Sequence, residues 1–123
     1  MIIKIIYIAA GGSLGSVMRF LTSYLLKTNI TQIPLSTLFV NVSGSFLIGL
    51  LINFLESKNS SEILIKYFFV IGLLGSYTTF STFSFEIIEL LKNGKLIIST
   101  LYVAISISLS LFFAYLGYYY IKL

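Results

Sequence analysis

Cysteine and histidine are absent from this chain, proline occurs once, and only 4 of 123 residues are acidic. Without thiols or imidazoles the chain lacks the groups that build most transition-metal, nucleophilic and general-base sites. No nucleophile–base pair or metal cluster stands out, so an enzyme is the least favoured class. Charge is equally scarce, at 10% of residues against about 25% in soluble domains. What replaces it is apolar: 58% of the residues are hydrophobic, which marks a protein of the lipid bilayer. The net charge of +4 comes from 8 Lys and Arg scattered along the chain. That pattern fits the cationic flanks of membrane spans and gives no patch for nucleic acid.

A bilayer core of roughly 30 Å needs about 20 apolar residues per helix, and four segments meet that length: 2–26, 35–55, 63–91 and 96–121. Between them lie Asn29, Thr31, Gln32 and Pro34, then "ESKNSSE", then "KNGK". Pro34 suits the first turn of a helix and Gly94 the end of one. With no long linker, residues 1–123 read as one all-α transmembrane domain of four short-looped helices. The start, "MIIKIIYIAAGGS", resembles a signal peptide, but its apolar pattern continues past Gly15, so the expectation is a retained first span.

The basic residues divide almost evenly between the two membrane faces. Lys4, Lys58, Lys66 and Lys122 fall on one, and Lys27, Lys92, Lys95 and Arg19 on the other. A chain so balanced either inserts weakly one way or inserts both ways up and pairs with an inverted copy.

Lipid offers no hydrogen bonds, so polar side chains deep in a span mark the protein interior or a wet cavity. In helix one, "AAGGSLGSVMRF" places Gly11 and Gly15, and Gly12 and Ser16, four apart, a spacing for close helix packing. No strand precedes this glycine run, which argues against a nucleotide-binding loop. Arg19 either snorkels to the interface or lines a vestibule that attracts anions. In helix two, Asn41 either offers its amide to an anion or glues two helices together. Helix three carries "GSYTTFSTFSFE", residues 75–86. Its glycines and hydroxyls weaken helix propensity, leaving either a break near the middle, with free amides and carbonyls, or a kinked continuous helix. Phe80 and Phe83 share a face, as ring edges for an anion or as filler. Ser99, Tyr102, Ser106 and Ser110 form a hydroxyl stripe on helix four, and Tyr118 to Tyr120 read as an interfacial belt.

Three motifs, "GGSLGSVMRF", "STLFVNVSGSFLIGLL" and "GLLGSYTTFSTFSFE", resemble in order those of the CrcB/Fluc family of fluoride channels. The resemblance implies an antiparallel, dual-topology homodimer in the cell's inner (plasma) membrane, with two pores along the subunit interface. It further implies passive export of fluoride from the cytoplasm, protecting a microbial cell, and one structural sodium ion on the dimer axis. Carried over, Asn41 is the pore amide, Phe80 and Phe83 supply ring edges, and Ser81, Thr82 and Ser110 belong to hydroxyl-bearing pathways. Gly75 and Thr78 offer backbone carbonyls to sodium, and Arg19 is a vestibule candidate without direct ligation. Two positions depart from the pattern: Ala114 stands where some relatives have a hydroxyl, and Tyr77 is bulkier than the usual residue near the break. The competing reading is a small dual-topology, proton-coupled exporter of multidrug cations, which needs a carboxylate in its substrate cavity; Glu86 is its candidate. Alternatively, Glu86 is protonated, pairs with a basic residue or polar neighbour, or sits in a wet vestibule. A structural or lytic bundle would leave Asn41 and the polar run of helix three unexplained.

Overall fold

The computed structural model describes residues 1–27, 32–58 and 62–120. Asn29 and Thr31, the centre of "ESKNSSE" at 59–61, Ile121 and Lys122 lie outside the described residues. Among the described residues the elements are all helical: α1 (Ile2–Leu25), α2 (Leu35–Ser57), a π-helix (Leu64–Leu74), α3 (Gly75–Tyr77), α4 (Phe80–Lys92) and α5 (Leu96–Tyr119). Among the described residues four helical stretches are long and apolar enough to cross a membrane, the third running from Leu64 to Lys92. They follow the apolar runs of the sequence with ends shifted by one or two residues.

Two close pairings organise the bundle, and both depend on missing side chains. A Cβ on Gly11 would run into the carbonyl of Phe68, and one on Gly15 into that of Leu73. The positions rise together, so α1 and the π-helix run parallel at backbone contact. On the other side, a Cβ on Gly49 would meet the Ala114 carbonyl, and one on Gly117 that of Phe46, which locks α2 to α5. Ala114 therefore serves a helix crossing. The four-apart glycines of helix one do the packing their spacing predicts.

Pro34 stands one residue earlier than the first turn, as the N-cap of α2. Gly94 ends α4 with φ +71°. Its N–H bonds Leu91 O at 3.0 Å while Lys95 N–H bonds Leu90 O at 2.9 Å, a Schellman closure that requires the left-handed glycine. Lys4 and Lys66 both lie near the Tyr67 ring, at 5.0 and 5.7 Å, which puts the starts of α1 and the π-helix at the same end. At that end too, the Tyr118 hydroxyl donates to Glu56.

Between α3 and α4 the backbone leaves helical geometry for two residues. Thr78 is extended at φ −79°, ψ 154°, and Thr79 at φ −151°, ψ 118°. The π-helix before it has wider turns, with Gly75 N–H reaching Val70 O, five residues back.

Candidate functional site

In the extended pair, Thr78 N–H still reaches Leu74 O at 3.0 Å, whereas Thr79 has exchanged its helical bond for a side-chain partner. Asn41, in the second turn of α2, donates from Nδ2 to the Thr79 carbonyl at 3.0 Å. Thr79 N–H donates in turn to Asn41 Oδ1 at 2.7 Å. One amide side chain thus satisfies both halves of a main-chain residue that no helix serves. Thr79 then caps α4, its hydroxyl accepting from Thr82 N–H at 3.2 Å. A threonine three residues before the amide it receives is an ordinary N-cap signal; that signal was present in the sequence, although Thr79 was not among its site candidates.

These substitutions free two carbonyls. Thr79 N–H would normally serve Gly75 O, and Thr82 N–H would serve Thr78 O; both donors are engaged with side chains instead. Gly75 itself is helical at φ −61°, ψ −29°, and only Val70 O, at 3.7 Å, lies near its absent Cβ. The departure from helical geometry is therefore made at Thr78 and Thr79 and not at Gly75. Tyr77, the bulky departure from the family pattern, is buried with Val40 and Leu74, its hydroxyl 3.3 Å from Ser43.

Beside this turn lies a hollow of about 390 Å³, lined by Asn41, Thr78, Phe80, Phe83, Ser106 and Ser110 among others. Among the described residues, none that lines it is charged. The Phe80 and Phe83 rings stand 5.5 Å apart and tilted by 47°. They differ in setting: Phe83 is 5% exposed and Phe80 75%. Phe83 packs against the Tyr102 ring at 5.2 Å. The α5 stripe is buried at Ser99, Tyr102 and Ser106, and its deeper half, Ser106 and Ser110, reaches the hollow. Ser106 Oγ is buried without a hydrogen-bond partner among the described residues.

A second hollow of about 240 Å³ lies across Thr79, with Arg19, Ser16, Thr37 and Thr82 in its lining. The sequence candidates therefore divide. Asn41, Thr78, Phe80, Phe83 and Ser110 come together at the first hollow, while Arg19 and Thr82 share the second. Ser81 is exposed, its hydroxyl 3.2 Å from that of Thr79, and it lines neither.

Glu86 also lines neither hollow. Its two carboxyl oxygens accept from Thr37 Oγ1 at 2.6 Å and from the Tyr102 hydroxyl at 2.7 Å. Of the settings open to it in the sequence, polar neighbours on other helices are the ones found. This joins α2, α4 and α5 through one side chain. Thr37 carried no sequence signal for this role, because its partner is 49 residues away. Among the described residues neither hollow brings Glu86 into its lining, so the cation-exporter reading gains no support.

A family model described as CrcB-like protein, Camphor Resistance (CrcB), matches residues 6–118. The chain belongs to that family. Among its curated relatives, the "Fluoride-specific ion channel FluC" of Flavobacterium psychrophilum is 42% identical over 114 residues, covering 92% of each chain. The protein of that name from Thermus thermophilus is 42% identical over 117 residues, 94% of this chain and 92% of its own. That from Campylobacter fetus is 41% identical over 120 residues, 96% and 93% respectively. With four apolar spans and relatives named as channels, this CrcB-family chain is a multi-pass membrane protein.

Proposed function

We propose that the chain is a fluoride-selective passive channel, not an enzyme, through which fluoride leaves the cytoplasm down its electrochemical gradient. The relatives' names support fluoride as the ion. The observation that supports the reading is Ser106 Oγ, buried beside the hollow with no hydrogen-bond partner within 3.5 Å among the described residues. A hydroxyl left unsatisfied inside a membrane protein is costly, and an anion seated there removes the cost. Asn41 has a second amide hydrogen beyond the one given to Thr79, and Ser110 adds a further donor. The positive edges of Phe80 and Phe83 complete a lining that stabilises a small anion without a fixed charge to trap it.

The hollow is half of a pore in this reading. Phe80 is largely exposed, so a second copy in inverted orientation would enclose it, and the balanced basic residues allow both orientations. Two symmetry-related pores then follow. Arg19 in the second hollow forms the vestibule, with Thr82 below it and Ser81 at the edge of the route.

The freed carbonyls of Gly75 and Thr78 fit a sodium ion on the dimer axis, since carbonyl oxygens are hard ligands suited to an alkali cation. There the ion supplies positive charge that binds two opened turns together. The natural setting is the plasma membrane of a microbial cell, where the channel relieves fluoride toxicity.

The test is anion efflux from liposomes holding the purified protein. Fast fluoride efflux with little chloride efflux is expected. Chloride leaving at a similar rate would sink the proposal.

A further inference from the structure

The opposite face of α2 carries a feature that ion conduction does not use. A groove of about 720 Å³ runs between α2 and α5, walled by Leu38, Phe39, Val42 and Phe46 on one side and Leu109 and Phe113 on the other. Its one polar lining group, Ser43, donates its hydroxyl back to Phe39 O at 2.7 Å, so the groove is dry. From Leu35 to Leu47 it follows thirteen residues of α2, about 18 Å at the helical rise. That is close to one leaflet of hydrocarbon, about 15 Å.

The groove does not end in apolar surface. Leu26 and Leu35 line it and also line a smaller hollow of about 200 Å³ whose polar residues are Ser23, Lys27, Gln32 and Ser36. Lys27 follows the C-terminal end of α1, at the level where a span meets the headgroups, and no carboxylate pairs with it among the described residues. An apolar channel one leaflet long, opening onto an ammonium group and three neutral polar side chains, has the shape and polarity of one phospholipid molecule. The charge selects an anionic one.

We propose that this surface is a binding site for a single anionic phospholipid. Its phosphate sits against Lys27, with Ser23 and Ser36 as further donors, and an acyl chain lies along Phe39, Val42 and Phe46. The ligand belongs to the outer, lipid-facing side of α2, and Asn41 faces the other way. Occupancy would tie the end of α1 to the start of α2 without entering the ion path.

The chain contains no tryptophan, so Phe39→Trp, at an exposed aromatic position, gives a single reporter. In liposomes, phosphatidylglycerol brominated midway along its acyl chains is expected to quench this tryptophan at about one-fifth the mole fraction needed for brominated phosphatidylcholine. Lys27→Gln is expected to abolish the difference and Lys27→Arg to keep it. Native mass spectrometry of the unsubstituted protein, which does not depend on the reporter, should show phosphatidylglycerol retained and lost on Lys27→Gln. Equal quenching by the two lipids, or a preference that survives Lys27→Gln, would overturn the site. Absence of quenching by either lipid would also overturn it, and would mean that protein covers the groove.

Discussion

Asn41 and Thr79 are joined by two opposed hydrogen bonds, Nδ2 to carbonyl at 3.0 Å and amide to Oδ1 at 2.7 Å. The side chain that lines the hollow is thus also the one that holds the turn open. The two roles proposed for an intramembrane asparagine, helix glue and anion donor, are compatible, because glue consumes only one of its two N–H groups.

Asn41→Asp retains an acceptor for the Thr79 amide but sets an oxygen against the Thr79 carbonyl. Loss of that bond should cost about 1–3 kcal/mol of stability. Fluoride efflux should fall by about tenfold or more, as a loss of only ~1.4 kcal/mol in anion stabilisation suffices for that. Thermal melts and a fluoride electrode on the same preparation read both quantities. Flux close to that of the unsubstituted protein would return Asn41 to a purely structural role.

The two phenylalanines should separate. Phe83 is buried against Tyr102, so Phe83→Leu should lower stability by about 1 kcal/mol through the lost aromatic pair. Phe80 is mostly exposed in the single subunit, and Phe80→Leu should stay within about 0.5 kcal/mol in a monomeric state. Both should slow fluoride efflux. If only Phe83→Leu slows it, ring edges are not shared between the two residues.

Tyr102 and Glu86 should prove coupled. Removing the hydroxyl by Tyr102→Phe leaves one carboxyl oxygen of Glu86 unserved in a packed setting. A double-mutant cycle with Glu86→Gln, read by denaturation in detergent, should give an interaction of about 0.5–3 kcal/mol. Additive losses would contradict the bond.

Two glycines of helix one should respond differently to the same methyl group. At Gly15 the added carbon meets the fixed Leu73 backbone, whereas at Gly12 the nearest atom is the Ser76 hydroxyl at 3.2 Å, which can rotate. Gly15→Ala should destabilise by about 1–3 kcal/mol and Gly12→Ala by much less. Matching melting temperatures for the two variants would refute the crossing geometry.

Sodium should stabilise the purified protein if the Gly75 and Thr78 carbonyls hold it. Linkage gives roughly 2.7 kcal/mol when the ion is present at about 100 times its Kd. Exchanging sodium chloride for the chloride of a bulky organic cation should therefore lower the melting temperature. Indifference to the exchange would remove the ion from the proposal.

What the sequence determined by itself is the part governed by local pattern and solvent. Four apolar runs must become spans because lipid leaves the backbone no other partners, and Gly94 suits a helix end because glycine takes the left-handed conformation without a Cβ penalty. The family motifs marked Asn41, Phe80 and Phe83, and the hydroxyl stripe of helix four marked Ser110. Only tertiary structure decided what these groups touch. Whether Asn41 bonds Thr79, whether Glu86 finds Thr37 and Tyr102, and whether Ser81 meets a hollow all depend on how helices far apart in sequence are rotated against one another. The glycine contacts at Gly15 and Gly49, where backbone meets backbone, fix part of that rotation by setting the α1–π-helix and α2–α5 crossings. Side-chain hydrogen bonds form only after those crossings fix which faces meet, so a one-dimensional pattern can supply candidates but cannot pair them.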